Sequence, residues 1–245
     1  LSDGTIPIGN LHKNTMEEVW NQDAYKTIRK NMLEDKPCRE CTKCYEQERS
    51  GFMSMRNSSN KTFGHHIGLV DQTKEDGTFK DFKLRYYDIR FTNLCNMSCR
   101  TCGGWFSSSW YQEEVDLYGK RDYKQFMYAG KDEEDMWNQL IPHIPYLEQI
   151  YFAGGEPLIM EEHYRLLKEL IKRGRNKVRL IYNTNFTQTV YKKTNVFELW
   201  REFKSVSVGA SLDAMGKHGE YIRKNTVWSD VERNREQMLV ICPQV

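Results

Sequence analysis

No apolar run in this 245-residue sequence approaches the ~18 residues that a transmembrane helix requires, and no charged-then-apolar leader opens it. Net charge is nearly absent too. There are 36 basic and 34 acidic side chains, a balance of +2, which leaves no electrostatic footprint for nucleic acid or an anionic membrane. Low-complexity tracts are missing, and 13% aromatic residues argue against disorder. Cysteine is too scarce for a disulfide scaffold, at seven residues, and the number is odd. What the sequence does have is spacing. Six cysteines fall in two tight triplets, Cys38, Cys41, Cys44 and Cys95, Cys99, Cys102, while Cys242 stands alone and reads as a small core residue.

The first residue is leucine, and Leu1–Gly9 reads as the end of a loop or hairpin, so the sequence is expected to start inside a domain. Thr15-Met-Glu-Glu18 fits a capping box, followed by Met16, Val19 and Trp20 at helical spacing. Asp23 is expected to cap a second helix with Tyr25, Ile28 and Met32 on its buried side, ended by Pro37. Arg49–Asp81 is rich in Ser, Asn, Gly, Lys and Asp; it reads as a connector with a short hairpin at Glu75-Asp-Gly77 and a domain boundary within it. The expected division is a cysteine-rich module over 1–60, a connector over 61–82 and a main domain over 83–245.

From Lys83 a strand–loop–helix pattern repeats four times. The strands are Tyr86–Phe91, Gln149–Ala153, Val178–Tyr182 and Val206–Leu212. Helices are expected through Leu166, Leu167, Leu170 and Ile171 (stopped by Gly174), over Phe197–Phe203, and over Val231–Val240. This alternation predicts an α/β fold with a parallel sheet and right-handed crossovers, either a small open sheet or the first part of a larger barrel. Trp105, Phe106 and Trp110 could shelter a metal centre from water or meet a substrate, but two of the three are expected to face the core, and most of the charged, tyrosine-rich Tyr111–Asp135 is expected to be a solvated face.

Cys95-Asn-Met-Ser-Cys99-Arg-Thr-Cys102 follows the first strand at once. Its gaps curl the backbone so that three thiolates can share a metal centre. A mononuclear zinc site normally takes four ligands, and no fourth Cys or His lies nearby in sequence. An iron–sulfur cluster on three thiolates leaves one iron open to a small ligand. Zinc completed from elsewhere in the chain, or inert buried thiols, are the alternatives.

The Cys95, Cys99, Cys102 loop after the first strand, Gly154-Gly-Glu-Pro157 after the second, Tyr182-Asn-Thr-Asn185 after the third, Ser211-Leu-Asp-Ala214 after the fourth and Arg223 beyond them form an ordered series. It resembles the CxxxCxxC, GGEP, TNG and SxDG motifs and following arginine of the radical S-adenosylmethionine superfamily. The resemblance covers roughly Lys83 to the end. The chain departs from the pattern at Thr101, where the family has an aromatic, and at Phe186 and Ala214, where it has glycine. The resemblance implies a partial six-unit (βα) TIM-like barrel with about four units present, its last strands expected beyond Val245. A fragment lacking those strands risks weak cluster binding or inactivity.

It also implies a 4Fe–4S cluster on Cys95, Cys99 and Cys102 whose open iron chelates the amino and carboxylate groups of S-adenosylmethionine. One electron then cleaves the sulfonium to methionine and a 5′-deoxyadenosyl radical, which abstracts hydrogen from the substrate. Cofactor contacts are implied for Gly154, Gly155, Glu156, Pro157, Asn183, Asn185, Ser211 and Arg223. The glycines would let backbone carbonyls approach the methionine ammonium, and Arg223 would pair with the carboxylate. Asp213 is expected to brace its loop. No catalytic residue is assigned beyond the cluster ligands.

Cys38-Arg-Glu-Cys41-Thr-Lys-Cys44, with Ile8-Gly-Asn-Leu11 and Thr15–Trp20 before it, resembles the auxiliary modules called SPASM or twitch, which bind further 4Fe–4S clusters. Such modules usually follow the radical domain; here the segment precedes it. A zinc knuckle completed by upstream residues is the alternative, and His65 and His66 are expected to be solvated. The implied substrate is a peptide or protein, with a small carbohydrate or nucleotide-derived molecule as the other option. The implied partner is a one-electron reductant such as flavodoxin or ferredoxin, with neither nucleic acid nor membrane involved. Reduced thiols suit a cytoplasmic setting. The competing function is a zinc- or cluster-bearing interaction or electron-transfer module that does not cleave S-adenosylmethionine.

Overall fold

A computed structural model describes residues 8–245, so most of the expected Leu1–Gly9 loop lies outside the described residues. The chain divides into two compact units, Leu1–Lys83 and Leu84–Val245.

In the first unit, α1 (Met16–Trp20) starts on the capping box: the Glu18 amide donates to the Thr15 hydroxyl at 3.1 Å, and the Thr15 amide donates to the Glu18 carboxylate at 2.9 Å. α2 (Asp23–Leu33) has Gln22 at its N-cap position, not Asp23. Asp23 is the first helical residue, where its charge meets the positive end of the helix dipole. Ile28 is buried and Tyr25 half-buried, but Met32, in the last turn, is 55% exposed rather than part of the buried side.

A 3-10 turn over Arg39–Cys41 leads into α3 (Thr42–Arg49). The expected connector is largely helical. α4 (Met55–Phe63) begins where the Asn57 amide donates to the Ser54 hydroxyl at 3.1 Å, and it runs into a 3-10 helix over Gly64–Gln72. Its polar composition hid a capped helix. The expected hairpin at Glu75–Gly77 is a turn without strands. Gly77 sits at φ +81°, Arg29 Nε donates to its carbonyl at 2.6 Å, and Phe79 exchanges hydrogen bonds with the Asn21 side chain at 3.0 and 3.1 Å. The backbone groups that a partner strand would have used are thus taken by side chains of α2 and the residue after α1.

The second unit runs β1 (Tyr86–Ile89), β2 (Ser98–Cys99), α5 (Tyr111–Tyr118), α6 (Glu133–Leu140), β3 (Gln149–Phe152), α7 (Glu161–Lys172), β4 (Arg179–Thr184), β5 (Val190–Tyr191), β6 (Thr194–Asn195), α8 (Val196–Trp200), β7 (Val206–Ala210), α9 (Gly216–Ile222), β8 (Arg223–Lys224) and α10 (Trp228–Ile241). β1, β3, β4 and β7 form one parallel sheet in that order, so each is paired with the next of the four along the chain. This is an α/β fold built on a four-stranded parallel sheet. Alternate strand residues enter the core, among them Tyr87, Ile89, Ile150, Phe152, Leu180 and Tyr182.

α7 buries His163, Leu166, Leu167 and Leu170, spaced as one face of a helix. Each of its fully buried leucines stabilises the fold by about 1.5–3 kcal/mol. Gly174, at φ +65°, ends the helix as expected, with the Arg175 amide donating to the Leu170 carbonyl at 2.8 Å.

Several elements depart from expectation. β2, α6, the β5–β6 hairpin, α9 and β8 have no counterpart in the sequence pattern. Trp105 and Phe106 are 56% and 69% exposed, so the expectation of two core-facing aromatics fails; only Trp110 is half-buried, its indole N–H donating to the Cys99 carbonyl at 3.0 Å. Within the tyrosine-rich insertion, Tyr123 is buried, because its ring packs 4.7 Å from Trp105 and its hydroxyl reaches Glu114. Cys242 is buried, as expected of a core residue. No helix among the described residues is long and apolar enough to cross a membrane.

Candidate functional site

β1 delivers the chain to the second cysteine triplet, and a dense set of polar contacts fixes the loop. Asn93 is buried, its amide donating to the Gly104 and Gln125 carbonyls at 3.1 and 3.0 Å and its oxygen accepting from the Met127 amide at 3.0 Å. The Ser107 hydroxyl donates to the Met97 carbonyl, and the Ser109 hydroxyl to the Cys95 carbonyl, both at 2.6 Å. Together with the Trp110 bond to Cys99, these hold the loop backbone at the carbonyls of Cys95, Met97 and Cys99. In sequence, the signal for this bracing is the run of three serines at 107–109, hydroxyls placed shortly after a three-cysteine loop.

The segment after β3 is docked onto the same loop. The Glu156 amide donates to the Leu94 carbonyl at 2.7 Å, and a Cβ on Gly155 would collide with that carbonyl. Gly154 lies at φ +89°, and a Cβ there would come within 2.7 Å of Arg90 Cβ. Close backbone approach is therefore what both glycines permit here.

Glu156 is fully buried. One carboxylate oxygen accepts from the Leu158 amide at 3.0 Å and the Thr184 hydroxyl at 2.7 Å; the other accepts from the Asn185 amide at 2.7 Å. Burial nevertheless pushes its pKa up to about 7, against the opposing pull of those three donors. The Asn185 side-chain amide donates to the Asn96 oxygen at 2.8 Å, linking the end of β4 to the cysteine loop.

A short antiparallel strap completes the frame. β2 pairs with β8, setting Ser98 opposite Lys224 and Cys99 opposite Arg223, and the Arg100 amide donates to the Ile222 carbonyl at 2.8 Å. Arg223 Nη1 lies 3.7 Å from Cys99 Sγ. Its Nε lies 2.7 Å from Asp213 Oδ2, an ion pair without the alignment of a hydrogen bond.

Cys95, Cys99 and Cys102 line one open cleft of about 930 Å³ together with Gly154, Gly155 and Glu156. Asn183, Asn185, Ser211 and Arg223 line it from the later strands. Asn183 donates to the Tyr151 hydroxyl at 2.5 Å. Pro157 is buried at the start of a 3-10 turn behind this wall. Phe106, which the sequence offers as a residue that could shelter a cluster or meet a substrate, lines the cleft, and so do Arg90 and Tyr151, which belong to none of the motifs.

Burial pushes the Cys95 thiol up to about 11, with the Met97 amide and Ser107 hydroxyl acting in the opposite direction. Burial raises Cys99 as well, and the neighbouring Arg223 charge counters it. A bound metal reverses this balance, since a coordinated thiol is deprotonated outright. Among the described residues, neither cysteine triplet brings its three sulfurs within 4.8 Å of one another. A single tetrahedral zinc ion, with Zn–S of about 2.3 Å, needs sulfurs about 3.8 Å apart. Thiolates that each bind a different iron of one cluster are free of that requirement.

In the first unit, Cys38 and Cys44 are buried and Cys41 half-buried, on a turn closed by the Cys41 amide donating to the Cys38 carbonyl at 3.0 Å. Burial raises the Cys38 thiol, with Cys41 adding to the effect. His65 is exposed and His66 half-buried, their ring centres 4.1 Å apart.

Residues 2–45, which contain Cys38, Cys41 and Cys44, match the sequence model of SPASM, an iron–sulfur cluster-binding domain. The match supports iron–sulfur binding by this segment. No curated protein and no solved structure matches the chain.

Proposed function

We propose that this chain is a radical S-adenosylmethionine enzyme with an auxiliary iron–sulfur module at its amino-terminal side. One observation carries the reading: Cys95, Cys99 and Cys102 share a single cleft with Gly154–Glu156, Asn183, Asn185, Ser211 and Arg223, at the carboxyl ends of four consecutive parallel strands. In α/β folds that is where ligands bind, and a sequential parallel strand order is compatible with the opening units of a (βα)6 TIM-like barrel.

The donor set fits a 4Fe–4S cluster. Three thiols, with no fourth Cys or His among the described residues that line the cleft, favour a centre with one open iron, and the sulfur spacing favours a polynuclear centre over a lone zinc ion. When bound and reduced, the cluster supplies the electron that splits S-adenosylmethionine into methionine and a 5′-deoxyadenosyl radical able to abstract hydrogen from substrate. The chain's own residues supply the frame. Ser107, Ser109 and Trp110 fix the carbonyls of the cysteine loop, which holds the thiols in place before any metal arrives. Gly155 lets the β3 end close onto Leu94. Glu156, with all its bonds made to Leu158, Thr184 and Asn185, joins the ends of β3 and β4 so that the cleft wall is continuous. Asn183 and Ser211 give that wall its polar groups for the cofactor's ribose and carboxylate.

Cys38, Cys41 and Cys44 would hold a second 4Fe–4S cluster, in keeping with the SPASM match. Modules of this kind belong with peptide- and protein-modifying chemistry, which makes a peptide the proposed substrate and a flavodoxin or ferredoxin the proposed electron donor.

Anaerobic reconstitution of the Cys38→Ala/Cys41→Ala/Cys44→Ala variant tests the main site. Iron and sulfide near four per chain, with 5′-deoxyadenosine released after dithionite addition, are the expected results. Zinc without sulfide, or equal cleavage after Cys95, Cys99 and Cys102 are all replaced by alanine, would refute the proposal.

A further inference from the structure

The register of the β2–β8 strap places Arg223 directly opposite Cys99, one of the three thiols of the cleft. Its neighbour Lys224 turns to the other side and pairs with Glu113 at 3.0 Å, as alternation along a strand requires. Arg100, the nearest basic residue of the cysteine loop, is held by the Tyr221 carbonyl at 3.0 Å, with its guanidinium 4.1 Å from that ring's centre. In this segment Arg223 is therefore the cation turned toward a cleft thiol, and its side chain is only 16% exposed, which limits screening by solvent.

Its two ends are differently engaged. Nη1 lies 3.7 Å from Cys99 Sγ, and Nε lies 2.7 Å from Asp213 Oδ2. Asp213 has φ +56°, a left-handed backbone that aspartate tolerates better than most residues. A cation and an anion thus stand in series beside one cluster ligand, the cation nearer.

We infer that Arg223 raises the reduction potential of a cluster held by Cys95, Cys99 and Cys102, through its N–H directed at the Cys99 sulfur and its positive charge, and that Asp213 offsets part of that effect. The inference rests on the proposed function. Hydrogen bonds to cluster sulfurs and the local net charge are two of the factors that set such potentials. Adding one electron makes the cluster more negative, so a nearby cation favours the reduced form and a nearby anion the oxidised form. Arg223 acts through Cys99 and is a positioning residue. Both its ends being engaged, it serves the ligand thiol rather than the cofactor carboxylate.

The test is an EPR-monitored redox titration of the reconstituted full chain without S-adenosylmethionine, in the Cys38→Ala/Cys41→Ala/Cys44→Ala background so that one cluster titrates. The cluster takes one electron from dithionite, delivered through mediator dyes. Arg223→Gln should shift the midpoint to a more negative value, Asp213→Asn should shift it to a more positive one, and Arg223→Lys should fall between wild type and Gln. Opposite shifts from two neighbouring substitutions are not what general loosening of the loop produces. An unchanged midpoint in Arg223→Gln, or shifts of one sign in both variants, overturns the inference. Should Arg223→Gln fail to retain iron, Asp213→Asn decides alone: a positive shift supports it and no shift overturns it. A parent chain that takes up no iron and sulfide refutes the proposed function itself. A parent that loads and cleaves S-adenosylmethionine while the variant midpoints stay unchanged refutes only this inference.

Discussion

Glu156→Gln offers a quantitative test of how the cleft wall is held. The buried Glu156 carboxyl has its pKa moved from 4.5 to about 7 by burial. A carboxyl that is easier to protonate in the folded chain than in the unfolded one stabilises the fold only while it is protonated. Its contribution is complete below pH 4.5 and is lost as pH rises toward and through 7, because the unfolded chain ionises first. With a shift of about 2.5 units and 1.36 kcal/mol per unit, the total loss is about 3.4 kcal/mol, of which about 2.5 kcal/mol falls between pH 5 and pH 8.

Glutamine does not ionise, so the variant escapes this loss. It also turns an N–H2 group toward either the Asn185 amide or the Leu158 amide and Thr184 hydroxyl, all of which donate to the carboxylate in the wild type. That mismatch costs about 1–3 kcal/mol at every pH. The variant should therefore be less stable than wild type at pH 5, and the gap should close or reverse by pH 8. Urea unfolding of both proteins at pH 5, 6, 7 and 8 reads the difference directly. A stability gap that stays flat over this range would show that Glu156 is not a buried, protonatable strut, and the reasoning would fail with it.

Gly155→Ala should destabilise the second unit by about 1–3 kcal/mol, since the new Cβ displaces the Leu94 carbonyl that also accepts from the Glu156 amide. Thermal melts and the iron-to-protein ratio after reconstitution should fall together, and a variant matching wild type in both would contradict the close docking. In metal-free protein, Cys95 with its pKa near 11 should be alkylated slowly by iodoacetamide at pH 7, with a rate rising about tenfold per pH unit up to that value. Mass mapping follows this, and labelling at pH 7 as fast as for an unhindered cysteine would refute the assignment.

Strand and helix order in the second unit was legible because its core positions carry clean periodicities: Tyr87 and Ile89 alternate, and His163, Leu166, Leu167 and Leu170 repeat at helical spacing. The β5–β6 hairpin was not legible, because two-residue strands around Lys192 and Lys193, both at positive φ, leave no periodic trace. α4 was hidden for another reason. Its helicity comes from the Ser54 cap rather than from an apolar stripe, and residues such as Ser58 and Asn60 look like loop chemistry.

The three-cysteine loop was readable from spacing, yet what fixes it was not. Asn93, the serines at 107–109, and the Asn96–Asn185 bond are polar contacts made across the fold, and such contacts have no sequence period. The exposed Trp105 and Phe106 misled because aromatic residues are more often buried than not, whereas here Tyr123 is the buried ring, packed on one side by Trp105, and Trp110 is the half-buried one, bonded to the Cys99 carbonyl.

The β2–β8 strap also bears on the order in which the protein is made. Cys99 leaves the ribosome 124 residues before Arg223, the residue that pairs with it. The local braces of the cysteine loop, from Ser107, Ser109 and Trp110, are available as soon as Trp110 has been made. The strap is not, since β8 follows the last strand of the sheet and α9. The loop therefore takes its shape early in synthesis and gains its Arg223 side late, so the charge beside Cys99 is the last part of this cleft wall to be set.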